Sequence, residues 1–198
     1  MGDKYVYPGT KILVNKLGIR DKKLLEKKEK NLSGVRLLEL RIKNDMKKTF
    51  DFNYLKKLHR HIFQDIYPWA GTVRDVNIAK GKSIFCLVEH IESYGEAIFK
   101  KIKDADYFKN INNKSELALK LAETMLDINA LHPFRDGNGR TQREFIRQLA
   151  EERGYELVFD HITQRGIVEL SDLTRDPDIL AVKFEKGMTQ INKNNENS

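Results

Sequence analysis

Cysteine is almost absent from this chain, since Cys86 is the single one among 198 residues. An internal disulfide is therefore impossible, and such cysteine usage is typical of a reducing compartment. The sequence also has no apolar run near the roughly 18 residues that cross a membrane, and the first five residues, MGDKY, lack the apolar core of a signal peptide. These absences predict a cytoplasmic protein with no membrane partner.

Acidic residues are scarce in the first quarter of the chain. Residues 1–50 contain 14 lysines and arginines against 6 aspartates and glutamates, whereas residues 51–198 contain 22 against 23, so the net charge of +7 arises in the first segment. Such a run usually forms a solvated helix surface. The alternative is a docking face for an acidic protein or a nucleic acid, and of these two we do not expect the nucleic acid.

The length of 198 residues predicts one domain. We expect it to span residues 1–191, with a basic N-terminal extension over residues 1–50, and we expect the asparagine-rich tail, residues 192–198, to be disordered.

Apolar residues recur every three or four positions through most of the chain, which predicts an all-α bundle. The stretch 115–131, with Ser115 as its N-cap, is apolar on more than one face and should be the most buried helix. Ser33-Gly34 interrupts the first helix and predicts a kink or a split there. The predicted helices span residues 21–43, 50–66, 88–103, 115–131, 139–153, 163–173 and 178–191.

Residues 72–87 change to short β-like runs around a glycine-containing tip, which predicts a β-hairpin and is the one convincing strand signal. Residues 155–160 should form a short extended segment. Gly81-Lys82-Ser83 resembles the end of a phosphate-binding P-loop, but Val76 stands where that motif needs its first glycine. His59 and His61 lie two apart on a helix and point to different faces, so we interpret them as surface or core residues rather than metal ligands.

Residues 132–143, HPFRDGNGRTQR, combine several groups that suit phosphate chemistry. Pro133 disfavours helical geometry at His132, so the central helix should end there. Phe134 should plug into the core and anchor the loop. A histidine side chain ordinarily titrates near neutrality, so His132 is a candidate to take a proton from a hydroxyl. Asp136 offers an oxygen ligand for Mg²⁺.

The second half of this segment predicts an anion site. Gly137 and Gly139 flank Asn138, and such a run can turn successive N–H groups inward. The following helix presents its N-terminal N–H groups to the same point. Arg140 and Arg143 are three apart, so both can reach one polyphosphate. From the residues alone, we predict a Mg²⁺-dependent phosphoryl- or nucleotidyl-transfer site.

The segment resembles the signature of the Fic family, His-Pro-Phe-x-Asp/Glu-Gly-Asn-Gly-Arg-x-x-Arg, at every fixed position. The likeness extends over residues 5–190. It includes YPGT at 7–10 and NKLGI at 15–19, typical of Fic toxins and Bartonella-type effectors, and YPWAG at 67–71 before the hairpin. The resemblance implies a Fic-type helical bundle whose hairpin is the family's flap, and a protein adenylyltransferase that moves AMP from ATP to a hydroxyl side chain (Tyr, Ser or Thr) of a target protein.

The resemblance also implies roles for single residues. His132 would be the general base and Asp136 would hold Mg²⁺ on the phosphates. Arg140 would contact the β-phosphate and Arg143 the γ-phosphate. The remaining candidate binding residues lie in the anion loop or in the flap, which would clamp the target chain by strand addition; they are Gly137, Asn138, Gly139, Lys80, Lys82, Ser83 and Phe85.

The Gly-Asn-Gly-Arg form differs from the Asn-Lys-Arg ending of Doc-type kinases, so the resemblance favours AMP transfer over phosphate transfer. Many Fic proteins carry an inhibitory Ser/Thr-x-x-x-Glu-Gly/Asn helix. Here the one candidate, Glu196-Asn197, has Asn192 where Ser or Thr is needed. The resemblance then implies a separate small antitoxin whose glutamate pairs with Arg143, and by analogy a type II topoisomerase subunit as the first target to test.

Two alternatives remain at this stage. The same fold could transfer another phosphate-containing group, such as phosphate, UMP or phosphocholine. Otherwise the chain could be a non-catalytic basic binding or effector module that acts through its N-terminal positive face.

Overall fold

The computed structural model describes residues 3–43, 45–80, 83–159 and 176–191. Within these ranges the chain forms six α-helices and two small antiparallel sheets. The helices are α1 (Lys22–Lys43), α2 (Phe52–Phe63), α3 (Ile91–Asp104), α4 (Lys114–Leu131), α5 (Asn138–Glu152) and α6 (Pro177–Gly187). The strands are β1 (Ala79–Lys80), β2 (Ser83–Ile84), β3 (Tyr155–Leu157) and β4 (Met188–Gln190). The helical fold class with one flap-like hairpin is confirmed.

Helix α4 is the buried centre of the bundle, as its apolar sequence predicts. It packs against α3, α5 and α6, and Leu121, Met125 and Leu131 are fully buried. Asn113 caps its N-terminus by accepting a hydrogen bond from the Glu116 N–H at 3.0 Å. The prediction that Ser115 is the cap is wrong, because Ser115 instead donates to Glu185 of α6 at 2.6 Å.

Helix α1 is continuous through Ser33-Gly34, so the predicted split is wrong, while the kink stays a prediction. A glycine inside a helix costs about 1 kcal/mol, which tertiary contacts can offset. Here Ser33 is buried, and Arg36 makes a two-pronged contact with Asp65, with Nε to Oδ2 at 2.6 Å and Nη2 to Oδ1 at 2.9 Å. These contacts dock α1 beside the C-terminal end of α2.

The last helix ends at Gly187 rather than continuing to residue 191. Met188–Gln190 instead pairs with Tyr155–Leu157 as an antiparallel strand, so the chain has a second sheet that the sequence did not predict. The cause is a close backbone approach, since the Val158 N–H donates to the Gly187 carbonyl at 3.0 Å. A β-carbon on Gly187 would lie 2.5 Å from the Val158 carbonyl oxygen.

The predicted hairpin is present but short. Its strands pair at two positions, Ala79 with Ile84 and Lys80 with Ser83. The helix predicted over 163–173 and the tail over 192–198 lie outside the described residues. Across the described ranges, none of the helices is both long and apolar enough to cross a bilayer.

Candidate active site

His132 lies where α4 ends, with its backbone in the left-handed region at φ 45° and ψ 60°. This confirms that Pro133 stops the helix. The imidazole Nδ1 lies 3.3 Å from the Asn129 carbonyl oxygen. Because a carbonyl can only accept, Nδ1 carries the proton in this arrangement, and Nε2 then holds the lone pair that a general base needs. The Phe85 ring stacks on the imidazole at 3.7 Å between centroids.

A second histidine, His59 of α2, is hydrogen-bonded to the loop that follows His132. Its Nδ1 accepts from the Gly71 N–H at 2.8 Å, and its Nε2 lies 2.9 Å from the Asp136 carbonyl oxygen and donates to it. Burial lowers the pKa of His59 to about 3, so it stays neutral, as both contacts require. The expectation of a surface or core residue was right, but its bracing role was missed. A usable signal existed, since His59 falls on the apolar stripe of α2 and a buried polar group needs partners.

Arg74 ties the loop to the base of the hairpin. This arginine is 1% exposed, and its guanidinium donates to three backbone carbonyls: Nε to His132 at 2.8 Å, Nη1 to Val76 at 2.8 Å and Nη2 to Cys86 at 2.5 Å. Sequence analysis missed Arg74 because it lies outside the motif and its partners are backbone atoms.

The loop interior is built around Gly137, whose φ is 80°. A β-carbon there would lie 2.4 Å from the Phe63 ring, so only glycine fits. Asn138 is buried, and its side chain braces the loop: Oδ1 accepts from the Phe134 N–H at 2.9 Å and Nδ2 donates to the Phe134 carbonyl at 2.7 Å. Phe134 is buried as predicted. Direct contact of Asn138 with phosphate stays a prediction and would use its second amide hydrogen.

The loop leads directly into α5, which begins at Asn138. Gly137 has no side chain to cap this helix, and the N–H groups of a first turn have no intrahelical acceptor. The loop end therefore offers N–H donors, including that of Gly139, and the positive end of the helix dipole to an anion.

The two motif arginines line one cleft of about 420 Å³ between α1, α5 and residues 156–159. Arg140 is paired: its Nη2 donates to Glu29, its Nη1 donates to Ser33 Oγ at 2.7 Å, and its guanidinium lies 4.7 Å from the Phe63 ring centroid. His132 lies at the other end of the motif loop, beside the hairpin.

Arg143 differs from its neighbours on α5. Arg147 pairs with Glu144 at 2.8 Å and with Glu151 at 3.3 Å, whereas half-buried Arg143 has no hydrogen bond or ion pair with any residue that the structure describes. Burial and the Arg140 charge lower the pKa of Arg143 to about 10, which leaves it charged at neutral pH. A half-buried cation without a partner is costly, so this position suits an incoming anion.

Asp136 is the candidate metal carboxylate. Its side chain is solvent-accessible, while the surrounding protein and the nearby Glu29 carboxylate raise its pKa. No group of three histidine, cysteine or carboxylate side chains that could hold a metal occurs among the described residues. One accessible carboxylate fits Mg²⁺ in the mode where phosphate oxygens and water complete the shell.

The candidate flap residues fall into two groups. Phe85 contacts a motif residue, His132, directly. Lys80 and Ser83 are paired through the strand backbone, and Lys82 lies outside the described residues. The Cys86 N–H donates to the Ala130 carbonyl at 3.0 Å, so the exit of the hairpin is bonded to the end of α4.

A larger cleft of about 910 Å³ lies elsewhere, with Phe50, Phe99 and Tyr107 among its lining residues. No motif residue lines it. Three of its lysines are paired, Lys48 with Glu152, Lys100 with Asp104 and Lys109 with Asp106. We therefore place the site by its chemistry rather than by cleft size.

The family model described as Fic/DOC matches residues 49–150, more than half of the chain. Among curated proteins, the chain is 34% identical over 194 residues to protein adenylyltransferase VbhT of Bartonella schoenbuchensis, which covers 97% of this chain and 40% of that protein. It is 37% identical over 155 residues to the probable protein adenylyltransferase y4lH of Sinorhizobium fredii, covering 78% and 79%. It is 34% identical over 164 residues to the probable protein adenylyltransferase Fic of Escherichia coli, covering 83% and 80%.

Solved structures give the same result. The N-terminal Fic domain of a VirB-translocated Bep effector protein from Bartonella quintana, solved with bound ADP, superposes with a TM-score of 0.86 at 25% identity, covering 94% of this chain and 95% of that one. BepC of Bartonella tribocorum, solved with bound AMPPNP, has a TM-score of 0.84 at 23% identity, covering 95% and 97%. The spacing of the motif, the fold and these comparisons lead to one conclusion: the chain belongs to the Fic/DOC family.

Proposed function

We propose that the chain is a protein adenylyltransferase, which transfers AMP from ATP to a hydroxyl side chain of a target protein. The observation that carries this proposal is the 3.3 Å contact between His132 Nδ1 and the Asn129 carbonyl oxygen. Nδ1 is directed at this carbonyl, so Nε2 is the basic nitrogen. It lies at the start of a motif whose last two arginines, Arg140 and Arg143, line one cleft. One relative is named a protein adenylyltransferase and two are named probable protein adenylyltransferases, which supports the choice of AMP.

The proposed reaction uses a single in-line displacement. The target hydroxyl oxygen attacks the α-phosphorus of ATP, and its proton passes to Nε2 of His132. The bond between the α-phosphorus and the oxygen bridging to the β-phosphate breaks, and pyrophosphate leaves. The N–H groups of Asn138 and Gly139 would bind phosphate oxygens as their charge grows. The Gly137 N–H donates to Asp136 Oδ1 at 2.5 Å and would join them only when that bond opens.

Two arginines and one carboxylate would position the triphosphate. Arg140 binds the β-phosphate, and Arg143, a cation without a described partner, binds the γ-phosphate. Asp136 would hold Mg²⁺, and the ion would supply positive charge that neutralises part of the negative charge of the phosphates.

The hairpin would bind the target by adding a strand of the target chain to its edge. Backbone pairing is tolerant of sequence, and it would fix a hydroxyl in register for attack. By analogy, a type II topoisomerase subunit is the first target to test, and the proposed setting is the cytoplasm.

Arg143 would also be a regulatory contact. We propose that the chain acts as the toxin of a toxin–antitoxin pair, in which a small partner supplies a glutamate to Arg143 and excludes the γ-phosphate. A small co-purified protein with Ser/Thr-x-x-x-Glu-Gly/Asn is the expected partner. ATP bound with its γ-phosphate on Arg143 while that partner is attached would refute this regulation.

The donor chemistry is tested with ATP labelled at either the α- or the γ-phosphate, incubated with purified chain and bacterial lysate. We expect transfer of the α-label only. Transfer of the γ-label alone would mean kinase chemistry and would exclude AMP transfer. Labelling from UTP in place of ATP would assign UMP as the transferred group.

A further inference from the structure

A carboxylate from outside the family-matched region pairs with Arg140, one of the two motif arginines that line the cleft beside α5. The family match covers residues 49–150, whereas Glu29 lies on α1, in the basic N-terminal extension. Its side chain is 14% exposed, and it forms an ion pair with Arg140. The Tyr67 hydroxyl donates to the other carboxylate oxygen, so Glu29 is itself held in place.

Arg140 is therefore fixed from three sides. Glu29 accepts from Nη2, Ser33 accepts from Nη1 at 2.7 Å, and the Phe63 ring lies beneath the guanidinium at 4.7 Å. Glu29 and Ser33 are four residues apart on α1, which places both on the same face of that helix. One surface of the extension thus supplies both hydrogen-bond acceptors.

This arrangement restrains the Arg140 side chain but does not occupy all of its N–H donors. A guanidinium has five N–H donors, and the two contacts to α1 use two of them. The remaining donors can face a phosphate while Glu29 and Ser33 keep the side chain in one orientation. A long arginine side chain otherwise loses considerable rotamer entropy when it binds a ligand, and a preset orientation lowers that cost.

We propose that Glu29, assisted by Ser33, is a positioning residue that presets Arg140 for the β-phosphate of ATP. The proposal rests on the proposed nucleotide-binding role of Arg140. The N-terminal extension is then part of the nucleotide site.

The opposite possibility is a brake, in which the Glu29 charge repels the phosphate. Two substitutions separate these outcomes when binding of the analogue AMPPNP is measured by calorimetry. Glu29→Gln loses the charge but keeps an amide oxygen that accepts from Arg140, while its NH2 group can donate to the Tyr67 hydroxyl oxygen in place of the present bond. Positioning therefore predicts affinity within about threefold of wild type. Glu29→Ala loses both, and it should weaken binding by on the order of tenfold or more, the usual scale for a charge-assisted hydrogen bond.

A brake predicts the reverse pattern, since both substitutions would then tighten AMPPNP binding, and that result would overturn the proposal. Glu26→Ala is the matched control, because Glu26 lies on the same helix, is largely exposed and pairs only weakly, with Lys22 at 3.8 Å. It should bind AMPPNP as wild type does. Thermal unfolding of each variant monitors the fold.

A double-mutant cycle with Arg140→Ala excludes a general structural effect. If Glu29 acts through Arg140, Glu29→Ala should weaken binding no further once Arg140 is absent. An undiminished loss in that background would contradict positioning. In labelling assays Glu29→Ala should raise the KM for ATP and leave kcat within a few-fold. If wild type transfers no AMP, the proposed function fails, but the AMPPNP cycle still decides the positioning role.

Discussion

The motif loop, residues 132–139, and the hairpin, residues 79–84, meet beside His132 but are held in opposite ways. Buried side chains fix the loop: His59 bonds the Asp136 carbonyl, Arg74 bonds the His132 carbonyl, and Asn138 bonds Phe134. The hairpin is joined by backbone pairing at two positions. The difference indicates that the loop presents reacting groups in one geometry, whereas the hairpin offers a generic backbone edge.

The largest effect should come from the loop's reacting residue. His132→Ala should lower AMP transfer by on the order of 10²–10⁴-fold, the range for loss of a general base, because no other described contact places a basic nitrogen there. AMPPNP affinity and thermal stability should stay close to wild type, since the loop is braced elsewhere. Unchanged labelling by His132→Ala would support the non-catalytic binding module instead.

The second effect is acid sensitivity of the loop through His59. The folded-state pKa is about 3 and an unperturbed histidine titrates near about 6.5, so the unfolded chain takes up the proton first as pH falls. The contribution of neutral His59 to the free energy of unfolding is therefore complete above a pH of about 6.5. It is lost progressively as the pH falls toward about 3, and the total loss is on the order of 3–5 kcal/mol.

Urea denaturation at a series of pH values measures this dependence. His59→Gln removes the titrating group, so the variant should lose stability less steeply than wild type between these pH values. Parallel stability curves for the two proteins would show that His59 does not govern the loss. The AMP-transfer activity of the His59→Gln variant at neutral pH shows whether the loop keeps its geometry.

The third effect concerns Arg74, which joins the two regions. Arg74→Met leaves three carbonyls without their donor and should lower the free energy of unfolding by about 2 kcal/mol or more. AMP transfer should fall further than stability alone explains, because the His132 backbone and the hairpin base lose their common tie. Arg20→Met, at an exposed arginine, is the control. An equal loss of activity in both variants would contradict the role of Arg74 in joining the loop to the hairpin.

The smallest effect should come from a hairpin side chain. Lys80→Ala should change AMP transfer by less than about threefold, because a strand edge binds through its backbone. Lys80→Pro removes the N–H at a position that pairs with Ser83 within the hairpin, so it should disrupt the strand that receives the target chain and reduce transfer much more. Kinetics with a saturating target protein compare the two, and a severe loss in Lys80→Ala would mean that the hairpin reads side chains.

The sequence predicts the parts of this molecule that depend on local pattern. The helical periods, the end of α4 at His132 and the burial of Phe134 follow from residue type and spacing. The C-terminal strand does not, because the helical pattern continues past Gly187 and only the approach of the Val158 backbone ends the helix. Periodicity carries no information about such a contact.

The candidate site was likewise predictable only in part. The motif supplies His132, Asp136, Arg140 and Arg143 as candidates. Arg74 and Glu29 were not found, because each acts on a partner distant in sequence: Arg74 on the His132 carbonyl, and Glu29 on Arg140. A lone arginine or glutamate among 65 charged residues gives no sign of its tertiary partner.

Mass spectrometry of a target protein after reaction with ATP tests the central claim most directly. Wild type should add adenosine monophosphate to a tyrosine, serine or threonine hydroxyl, and His132→Ala should leave the target unmodified. A target that carries phosphate alone, or the same adenylylation by His132→Ala, would contradict the account.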